Sequence, residues 1–467
     1  MRRQILETLT LEKIVGGGQA LGTLADGRKC FVWGGLPGET VTVRVTKKKS
    51  HLVEAIVKEV VSPSPDRIQP RDPDSYLSTS PWQIIPLEIE QIYKRQLIDD
   101  AFTLHNVALT AAIDIYCNNV AYGYRNKVEF SWYSEIGESG DTLDLAFFRR
   151  GSKGKMVVDG TSLARPEINN LARTIRDLLR HKRVAARQLK TLLIRCDQSG
   201  VCVWQLYIKD RLPEIITDTE AAKLPAQGGE IIYSDPRSPA SCITERLALF
   251  GNTALTDTIL GVPFRYACEG FFQVNIPVYE QALRDMKEWV PRDRTDQHLG
   301  QQLGHRQKII RDPREVAQIF SEVPLAADRP TLDLYAGVGT IGLTIGGGNV
   351  TLVEINTDAV REMQRNITEL GRTDARAVLA PSEQALNYIT GKEIVIVDPP
   401  RAGLHTDVIA TLLQQLPPRI IYLSCNPVTQ ARDIALLQQH YRIAWHRGYN
   451  FFPRTPHIEH LVILNKK

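Results

Sequence analysis

The sequence contains cysteines but no cysteine pairs. No two of them stand in a C-x-x-C arrangement, and their number, seven, is odd. This pattern indicates a reducing compartment and argues against both a disulfide framework and a zinc module. The seven are Cys30, Cys117, Cys196, Cys202, Cys242, Cys268 and Cys425.

Long apolar runs are also absent. No run reaches the roughly 18 residues that a membrane-spanning helix needs, and the amino-terminal residues MRRQILETLTLEKIV lack the apolar core of a signal peptide. We therefore expect a cytoplasmic chain without a membrane partner.

A strong excess of positive charge is missing too. The formal net charge is +4, which permits nucleic-acid binding but falls short of a chain dedicated to it. Positive surface must then be local, and the candidates are residues 47–49, three lysines, and 149–150, two arginines. Each could equally be a solvated turn.

The chain is too long for one hydrophobic core, because single cores stop growing near roughly 250 to 300 residues. Residues 1–62 have short alternating strands punctuated by glycine, which predicts a small β-barrel. A proline-rich stretch marks a boundary near residue 63, and we predict a linker and central α+β region at 63–275. The third predicted domain is 276–467, with a polar insertion at about 291–330.

From residue 331 onward, apolar strands alternate with helices. Near-continuous apolar strands of this kind are typical of a parallel sheet covered on both faces. The predicted fold class is therefore α/β, with a Rossmann-like, doubly wound C-terminal domain. The strand segments are TLDLY, NVTLVEI, ARAVLA, EIVIVDPP, RIIYLSC, RIAWHRGYN and HLVILNKK.

A glycine loop follows the first of these strands. In LDLYAGVGTIGL the chain passes Tyr335, Gly337 and Gly339 and enters an apolar helix. Glycine lets the backbone approach a ligand there, and Glu354, at the end of the next strand, is placed to bind ribose hydroxyls. Dinucleotide and S-adenosylmethionine sites share this pairing, so the loop alone leaves both cofactor classes open.

Two later strands end in reactive side chains at the same edge of the sheet. EIVIVDPPRAGL ends at Asp398 in a rigid proline turn, and RIIYLSCNPVTQARDI ends at Cys425. A thiol at that place is a candidate nucleophile, although most free cysteines are small buried hydrophobes. Glu459, in FFPRTPHIEHLVIL, precedes the last strand, where a loop could return it to the crevice.

These segments together resemble the RNA uracil-C5 methyltransferase family. Its members carry a D-[LF]-[YF]-x-G-x-G loop, D-P-P-R, S-C-N-P and T-P-H-[IV]-E in this order, and this chain matches each motif. GFFQVN at 270–275 and YRNKVEF at 124–130 resemble two further family segments, and residues 1–62 resemble the family's RNA-binding TRAM domain. The resemblance covers nearly the whole chain apart from the insertion.

The resemblance implies an S-adenosylmethionine-dependent enzyme that methylates carbon 5 of a uridine in RNA. Cys425 would add covalently to carbon 6 of the uracil, and Glu459 would act as the base. Phe271 would stack on the flipped uracil, while core packing must explain at least one of Phe271 and Phe272. The implied cofactor-binding residues are Gln273, Tyr335, Gly337, Gly339, Glu354 and Asp398.

The chain departs from the family pattern at two places. Many members hold an iron-sulfur cluster on cysteines after the barrel, but PRDPDSYLSTSPWQI has none, so we predict no cluster and no other metal. Members often place an acid after the third strand to bind adenine. Here residues 380–383 read APSE, so Ser382 or Glu383 would supply that contact.

Three alternatives stay open. A cytosine-C5 methyltransferase would use similar chemistry but normally shows a second cysteine in the D-P-P region, which is absent here. A non-catalytic RNA-binding protein of the same fold is the second. The third concerns the RNA: the barrel favours 23S ribosomal RNA, and transfer RNA is the alternative. We expect a monomer, because RNA must reach a deep crevice.

Overall fold

The computed structural model describes residues 5–137, 140–290 and 329–467. Residues 291–328 of the predicted polar insertion therefore lie outside the described residues. Within the described ranges, no helix is both long enough and apolar enough to cross a bilayer.

The amino-terminal residues form a closed barrel, as the strand pattern predicts. Side chains alternate across a strand, and in the fourth strand Val41 and Val43 are fully buried while Thr40 and Thr42 point the other way. The barrel interior is therefore filled by apolar side chains. The strands, paired in the order β1-β2-β3-β5-β4, are Leu6–Ile14 (β1), Ala20–Thr23 (β2), Lys29–Trp33 (β3), Thr40–Lys48 (β4) and Leu52–Ser62 (β5).

The linker after the barrel first closes one barrel end and then crosses to the C-terminal sheet. Trp82 joins the barrel core and donates from Nε1 to the Gly18 carbonyl at 3.1 Å. The long helix packs its Ile98 and Phe102 into the C-terminal core. The elements are Tyr76–Thr79 (α1), Leu87–Leu104 (α2) and the short strand Ile115–Tyr116 (β6).

The middle of the chain forms a seven-stranded mixed sheet with one helix packed on a face, in the order β11-β10-β7-β12-β13-β14-β15. The helix buries Ile168, Leu171, Ile175 and Leu179, a spacing of three or four residues that gives one apolar stripe. The elements are Lys127–Tyr133 (β7), Ile136–Gly137 (β8), Gly140–Asp141 (β9), Asp144–Phe148 (β10), Lys155–Val157 (β11), Pro166–His181 (α3), Leu189–Cys196 (β12), Cys202–Ile208 (β13), Asp218–Ala221 (α4), Gly228–Tyr233 (β14) and Glu245–Gly251 (β15).

A hairpin and a helix that the sequence analysis does not assign join the middle sheet to the C-terminal sheet. They are Ala254–Ile259 (β16), Val262–Ala267 (β17) and Ile276–Lys287 (α5). Phe264 and Tyr266 of this hairpin share one hydrophobic core with Val203 of the middle sheet and Ile421 of the C-terminal sheet. The two sheets are therefore packed together through this connection.

The C-terminal sheet has eight strands in the order β20-β19-β18-β21-β22-β24-β23-β6. Both faces are covered, because Ile394 and Ile396 point into one core and Val395 and Val397 into another. Its elements are Thr331–Leu334 (β18), Thr340–Ile345 (α6), Val350–Glu354 (β19), Thr357–Glu369 (α7), Ala375–Leu379 (β20), Ile394–Val397 (β21), Thr406–Gln415 (α8), Arg419–Ser424 (β22), Pro427–Leu437 (α9), Tyr441–Tyr449 (β23) and Glu459–Lys466 (β24).

The expected parallel direction is correct for β18 to β22 and for β23, and wrong for β24. β24 runs antiparallel to both β22 and β23. The connection between Tyr449 and Glu459 contains no helix, and a parallel pair would need a crossover of a dozen or more residues. β6, from the region predicted as central, adds a strand beside β23.

The two basic stretches differ in what their side chains contact. The Lys47 ammonium lies 3.5 Å from Glu54, and Lys48 and Lys49 are exposed. The Arg150 guanidinium lies 3.9 Å from the centre of the Trp33 ring, and its Nε donates to the Leu77 carbonyl. This arginine therefore ties the middle sheet to the barrel.

Candidate active site

The glycine loop sits where β18 ends. Tyr335, Gly337 and Gly339 all have positive φ, at 64°, 57° and 89°. At Gly339 the φ of 89° favours glycine, and a Cβ would also lie 2.9 Å from Leu343 Cδ1, whereas a Cβ at Gly337 would meet nothing within 4 Å. Gly337 therefore borders open space where a ligand can approach the backbone.

Glu354 holds this loop from the end of β19. Its Oε2 accepts from the Gly337 backbone N–H at 3.0 Å, and its Oε1 accepts from that of Asn356 at 2.8 Å. Each carboxylate oxygen can accept more than one hydrogen bond. The half-buried side chain is thus fixed in orientation and can still accept from ribose hydroxyls.

Asp333 lies beneath the loop and was not singled out from the sequence. Its Oδ2 accepts from the Gly342 N–H at 2.8 Å, while its buried Oδ1 finds no partner within the described residues. Burial, with the nearby charges of Asp398 and Glu354, raises the pKa of Asp333 to about 8. An acid inside an apolar strand was the signal in the sequence.

The segment predicted to contact adenine follows β20. Tyr335 is hydrogen-bonded to the Ser382 side chain, and Ser382 is buried while Glu383 is half-buried. Both residues therefore remain candidates for the adenine contact.

The segment 268–275 carries the aromatic and amide side chains predicted to contact the ligands. Phe271 is 69% exposed, whereas Phe272 is buried and stacks on Tyr266 at 3.9 Å. Core packing thus explains Phe272 and leaves Phe271 free to meet a base. Gln273 is buried, and its carbonyl accepts from Asn126 Nδ2 at 2.9 Å.

Cys425, Glu459 and Asp398 come together at one edge of the sheet. Ser424 pairs with His460 in the antiparallel ladder of β22 and β24, which places the next residue, Cys425, across from Glu459. Asp398 directly follows β21, the other neighbour of β22. Chain segments far apart in sequence therefore deliver a thiol and two carboxyls to one place.

Burial keeps these acidic groups protonated more than usual. Burial raises the pKa of the Cys425 thiol to about 11, with further contributions from Glu459 and Asp398. Burial and the charge of Asp398 raise the pKa of Glu459 well above its usual range. Burial also raises the pKa of Asp398 to about 7. A cationic ligand in this site would favour the ionised carboxyls.

Arg401, quoted in the D-P-P-R motif but given no role there, is the cation of this cluster. It is hydrogen-bonded to the Cys425 thiol and opposes the rise of the pKa of both Cys425 and Glu459. It also lies 3.3 Å from His457 Nδ1. Burial and Arg401 lower the pKa of His457 to about 4, so this imidazole is neutral at pH 7.

The two motifs around Asp398 and Cys425 hold each other. Asn426 accepts from the Val428 N–H at 3.2 Å, capping α9, and its Nδ2 donates to the Arg401 carbonyl at 2.9 Å. Thr429 Oγ1 donates to the same carbonyl at 3.2 Å. The S-C-N-P turn therefore fixes the position of the D-P-P-R turn.

Helix α5 connects the glycine loop with the segment that carries Phe271 and Gln273. Tyr279 of that helix hydrogen-bonds Thr340 beside the glycine loop at 2.8 Å. Burial and the charges of Asp398, Asp333 and Glu459 raise its pKa. The segment with Phe271 and Gln273 runs directly into the same helix. Tyr279, which the sequence analysis did not name, thus lies between the glycine loop and the acidic cluster.

Comparisons with known proteins agree with the motifs. The family model described as tRNA (Uracil-5-)-methyltransferase matches residues 385–467. An RNA methyltransferase of Nitratidesulfovibrio vulgaris is 28% identical over 98% of this chain and 96% of its own length. Another, of Thermosynechococcus vestitus, is 26% identical over 98% of this chain and 97% of its own length.

A solved structure has the same fold. The tRNA (uracil-54, C5)-methyltransferase of Pyrococcus abyssi, in complex with S-adenosyl-L-homocysteine, superposes with a TM-score of 0.73 at 20% identity. The match covers 99% of this chain and 100% of that one. From the motifs in order, the matched family model and the full-length relatives, we conclude that the chain is an RNA methyltransferase whose residues 385–467 match the tRNA (Uracil-5-)-methyltransferase model.

Proposed function

We propose that the protein methylates carbon 5 of a uridine in RNA through a covalent adduct on Cys425, with Glu459 as the base. The observation that carries the proposal is the register of β22 and β24, which sets Cys425 across from Glu459 beside the glycine loop. A nucleophile and a base in one crevice are what substitution at an unreactive ring carbon requires.

The cofactor is S-adenosylmethionine, which when bound supplies the methyl group as a sulfonium electrophile. The residues present fit it: Glu354 can take the ribose, Gly337 leaves its backbone accessible, and Asp398 offers a carboxyl to a cation. The unpartnered Oδ1 of Asp333 leaves a further acceptor beneath the loop.

The chemistry then follows from the side chains. The Cys425 thiol loses its proton to solvent, Sγ bonds to carbon 6 of the uracil, and the electrons of the carbon 5–carbon 6 double bond move into an enolate that makes carbon 5 nucleophilic. Once carbon 5 carries the methyl group, Glu459 takes the carbon 5 proton. The double bond forms again, the sulfur–carbon bond breaks, and the thiolate leaves. Phe271, exposed on its segment, would stack on the unstacked base.

For the RNA class we propose ribosomal RNA, since the barrel adds a second surface that can bind a large RNA. Transfer RNA is the second candidate. The observation that favours it is the fold match to a transfer RNA enzyme that covers 99% of this chain, barrel included.

The test supplies methyl-labelled S-adenosylmethionine and unmodified ribosomal and transfer RNA, followed by nucleoside mass spectrometry. We expect 5-methyluridine in one RNA class with the wild type and none with Cys425→Ala. Cys242→Ala, which removes an exposed thiol from the connection between β14 and β15, is the matched control and keeps full activity. A product of 5-methylcytidine, or an active Cys425→Ala variant, contradicts the proposal.

A further inference from the structure

A cleft of about 290 Å³ opens beside the Phe271 segment, on the middle sheet. Its walls include Lys127 and Glu129 of β7, Phe147 of β10, and Val274, which follows Gln273. None of the steps of methyl transfer described above uses these side chains.

The cleft exists because two neighbouring strands separate. β10 pairs with β7 from Tyr133 only as far as Ser131, after which β10 continues with β11 as its partner. The gap beside the start of β7 is closed by residues 161–163, where the Leu163 carbonyl accepts from the Arg125 N–H at 2.9 Å. These are backbone contacts of regular structure, so the cleft is already formed without a ligand.

Positive charge dominates the polar side of the cleft. Lys127 Nζ lies 3.4 Å from both Glu129 Oε1 and the Glu269 carbonyl, which are long contacts for a lysine. The Nε of Arg125 is buried and finds no partner within the described residues. Arg195, across the ladder from Lys127, is buried against the Tyr266 ring and does not line the cleft. This side of the cleft therefore offers donors to an anion.

The opposite side is apolar and holds one aromatic ring in a fixed orientation. Phe147 stacks on Phe130 with ring centres 5.3 Å apart and planes 19° from parallel. Leu163 and Val274 lie on the same cleft. Aromatic and aliphatic walls facing cations suit a nucleobase with its phosphate, and the volume is close to the roughly 300 Å³ at the lower end of ligand pockets. One nucleotide fits, and a helix does not.

The cleft also adjoins the catalytic groups. Val274 is three residues from Phe271, and the Arg125 guanidinium lies 5.9 Å from the Phe452 ring, in the segment that leads to Glu459. A single RNA strand that delivers a base to Phe271 must continue beyond Phe271, and the cleft lies on one side of that residue.

We propose that this cleft binds a second unstacked nucleotide of the RNA, close in sequence to the target uridine, with its phosphate at Lys127 and its base against Phe147. The inference rests on the proposed function, because it takes the RNA strand to enter at Phe271. It makes the cleft a determinant of which uridine is selected, since the neighbouring nucleotide must also leave its stack.

Photo-cross-linking tests the location. A single-stranded RNA nonamer of 4-thiouridine is irradiated with the full-length protein, and the cross-linked peptides are mapped by mass spectrometry. Cross-links at Phe147, residues 161–163 or Val274 are expected. Their absence overturns the inference. Cross-links at Phe271 and Cys425 are scored separately and report on the proposed function.

Two variants, one that removes a positive charge and one that removes a negative charge, test whether the cleft binds phosphate. Binding of the same nonamer is followed by fluorescence anisotropy at several salt concentrations. Lys127→Gln should weaken binding about tenfold and reduce the slope of log affinity against log salt by about 1. Glu129→Gln, at an exposed side chain, should tighten binding because it removes the carboxylate that competes with phosphate.

Lys190→Gln is the matched control, because Lys190 is a half-buried lysine on the same sheet that donates to the Asp235 and Ser238 carbonyls. It should leave both affinity and salt slope unchanged. A Lys127→Gln protein with an unaltered salt slope, or a Glu129→Gln protein that binds no tighter than the wild type, overturns the inference.

Discussion

The Cys425 thiol, just after β22, and the Glu459 carboxyl, at the start of β24, both have raised pKa values. Burial raises the pKa of Cys425 to about 11, so the free protein holds a thiol rather than a thiolate at neutral pH. Glu459, whose pKa is also raised, is a stronger base than an exposed glutamate.

The first prediction concerns Glu459→Gln, which keeps the shape of the side chain and removes its basicity. Cys425 can still add to the ring, but the carbon 5 proton is not removed, so the adduct should accumulate while turnover falls by about a hundredfold or more. A denaturing gel of protein mixed with RNA and S-adenosylmethionine measures the adduct. If Glu459→Gln turns over normally, Glu459 is not the base.

The second prediction uses Asp398, whose pKa burial raises to about 7. Below that pH the carboxyl is neutral, and above it the carboxylate attracts a cation, so affinity for S-adenosylmethionine should increase as pH rises from about 6 to about 8. Calorimetric titration across this range measures it. Asp398→Asn should flatten the dependence, and S-adenosylhomocysteine, which lacks the sulfonium charge, should show a weaker one. Equal dependence for both ligands contradicts the assignment.

At the scale of elements, the segment bearing Phe271 depends on a charged network behind it. Arg246 pairs with Glu230 and, at 2.5 Å, with Glu269. Gln205 Nε2 donates to the same two carboxylates, at 2.6 and 2.8 Å. Because Glu269 stands two residues before Phe271, this network fixes the position of the segment that carries the Phe271 ring.

The third prediction is that Arg246→Met loosens this segment by leaving two largely buried carboxylates without their cation. The KM for RNA should rise about tenfold, with a smaller change in kcat and none in cofactor affinity. Arg246→Lys should restore part of the loss. Arg211→Met, which removes an exposed ion pair with Glu245 on the same sheet, is the control. Equal effects of the two methionine variants would argue against a positioning role.

The elements that local pattern specifies were predictable from the sequence. α2 is such an element, because an apolar stripe and a proline before it define a helix locally. β6 was not predictable, because two residues become a strand only through pairing with β23, more than 300 positions later. The hairpin β16–β17 and the antiparallel direction of β24 likewise depend on partners elsewhere in the chain.

The candidate site divides in the same way. The strand ends that carry Asp398 and Cys425 followed from apolar runs that stop at motif residues. The roles of Asp333, Arg401 and Tyr279 did not, because each depends on which buried neighbours the fold supplies.

For the whole molecule, the barrel is seated directly on the turn that leads to Glu459. Gly18 packs against Pro456, and Trp82 N–H reaches the Gly18 carbonyl. A buried pair, Glu90 and Lys94 at 2.8 Å, holds the same turn from α2, with Glu90 accepting from the Arg454 N–H. Barrel, linker helix and catalytic edge thus meet at one place.

The fourth prediction follows from two adjacent glycines. Gly17 and Gly18 share a φ of 89°, so alanine at either costs about 1–2 kcal/mol of backbone strain. A Cβ at Gly17 meets nothing within 4 Å, whereas one at Gly18 overlaps Pro456. Gly18→Ala should therefore destabilise the protein by roughly a further 1–3 kcal/mol and lower kcat by shifting the turn before Glu459.

Denaturant unfolding and single-turnover methylation of both variants separate the two effects. Because Gly17→Ala carries the strain without the overlap, the difference between the variants isolates the contact of barrel and turn. If that contact positions Glu459, only Gly18→Ala loses kcat, and it does so even where the protein is fully folded. If both variants retain kcat and differ only in stability, the barrel serves RNA binding alone and the catalytic edge does not depend on it.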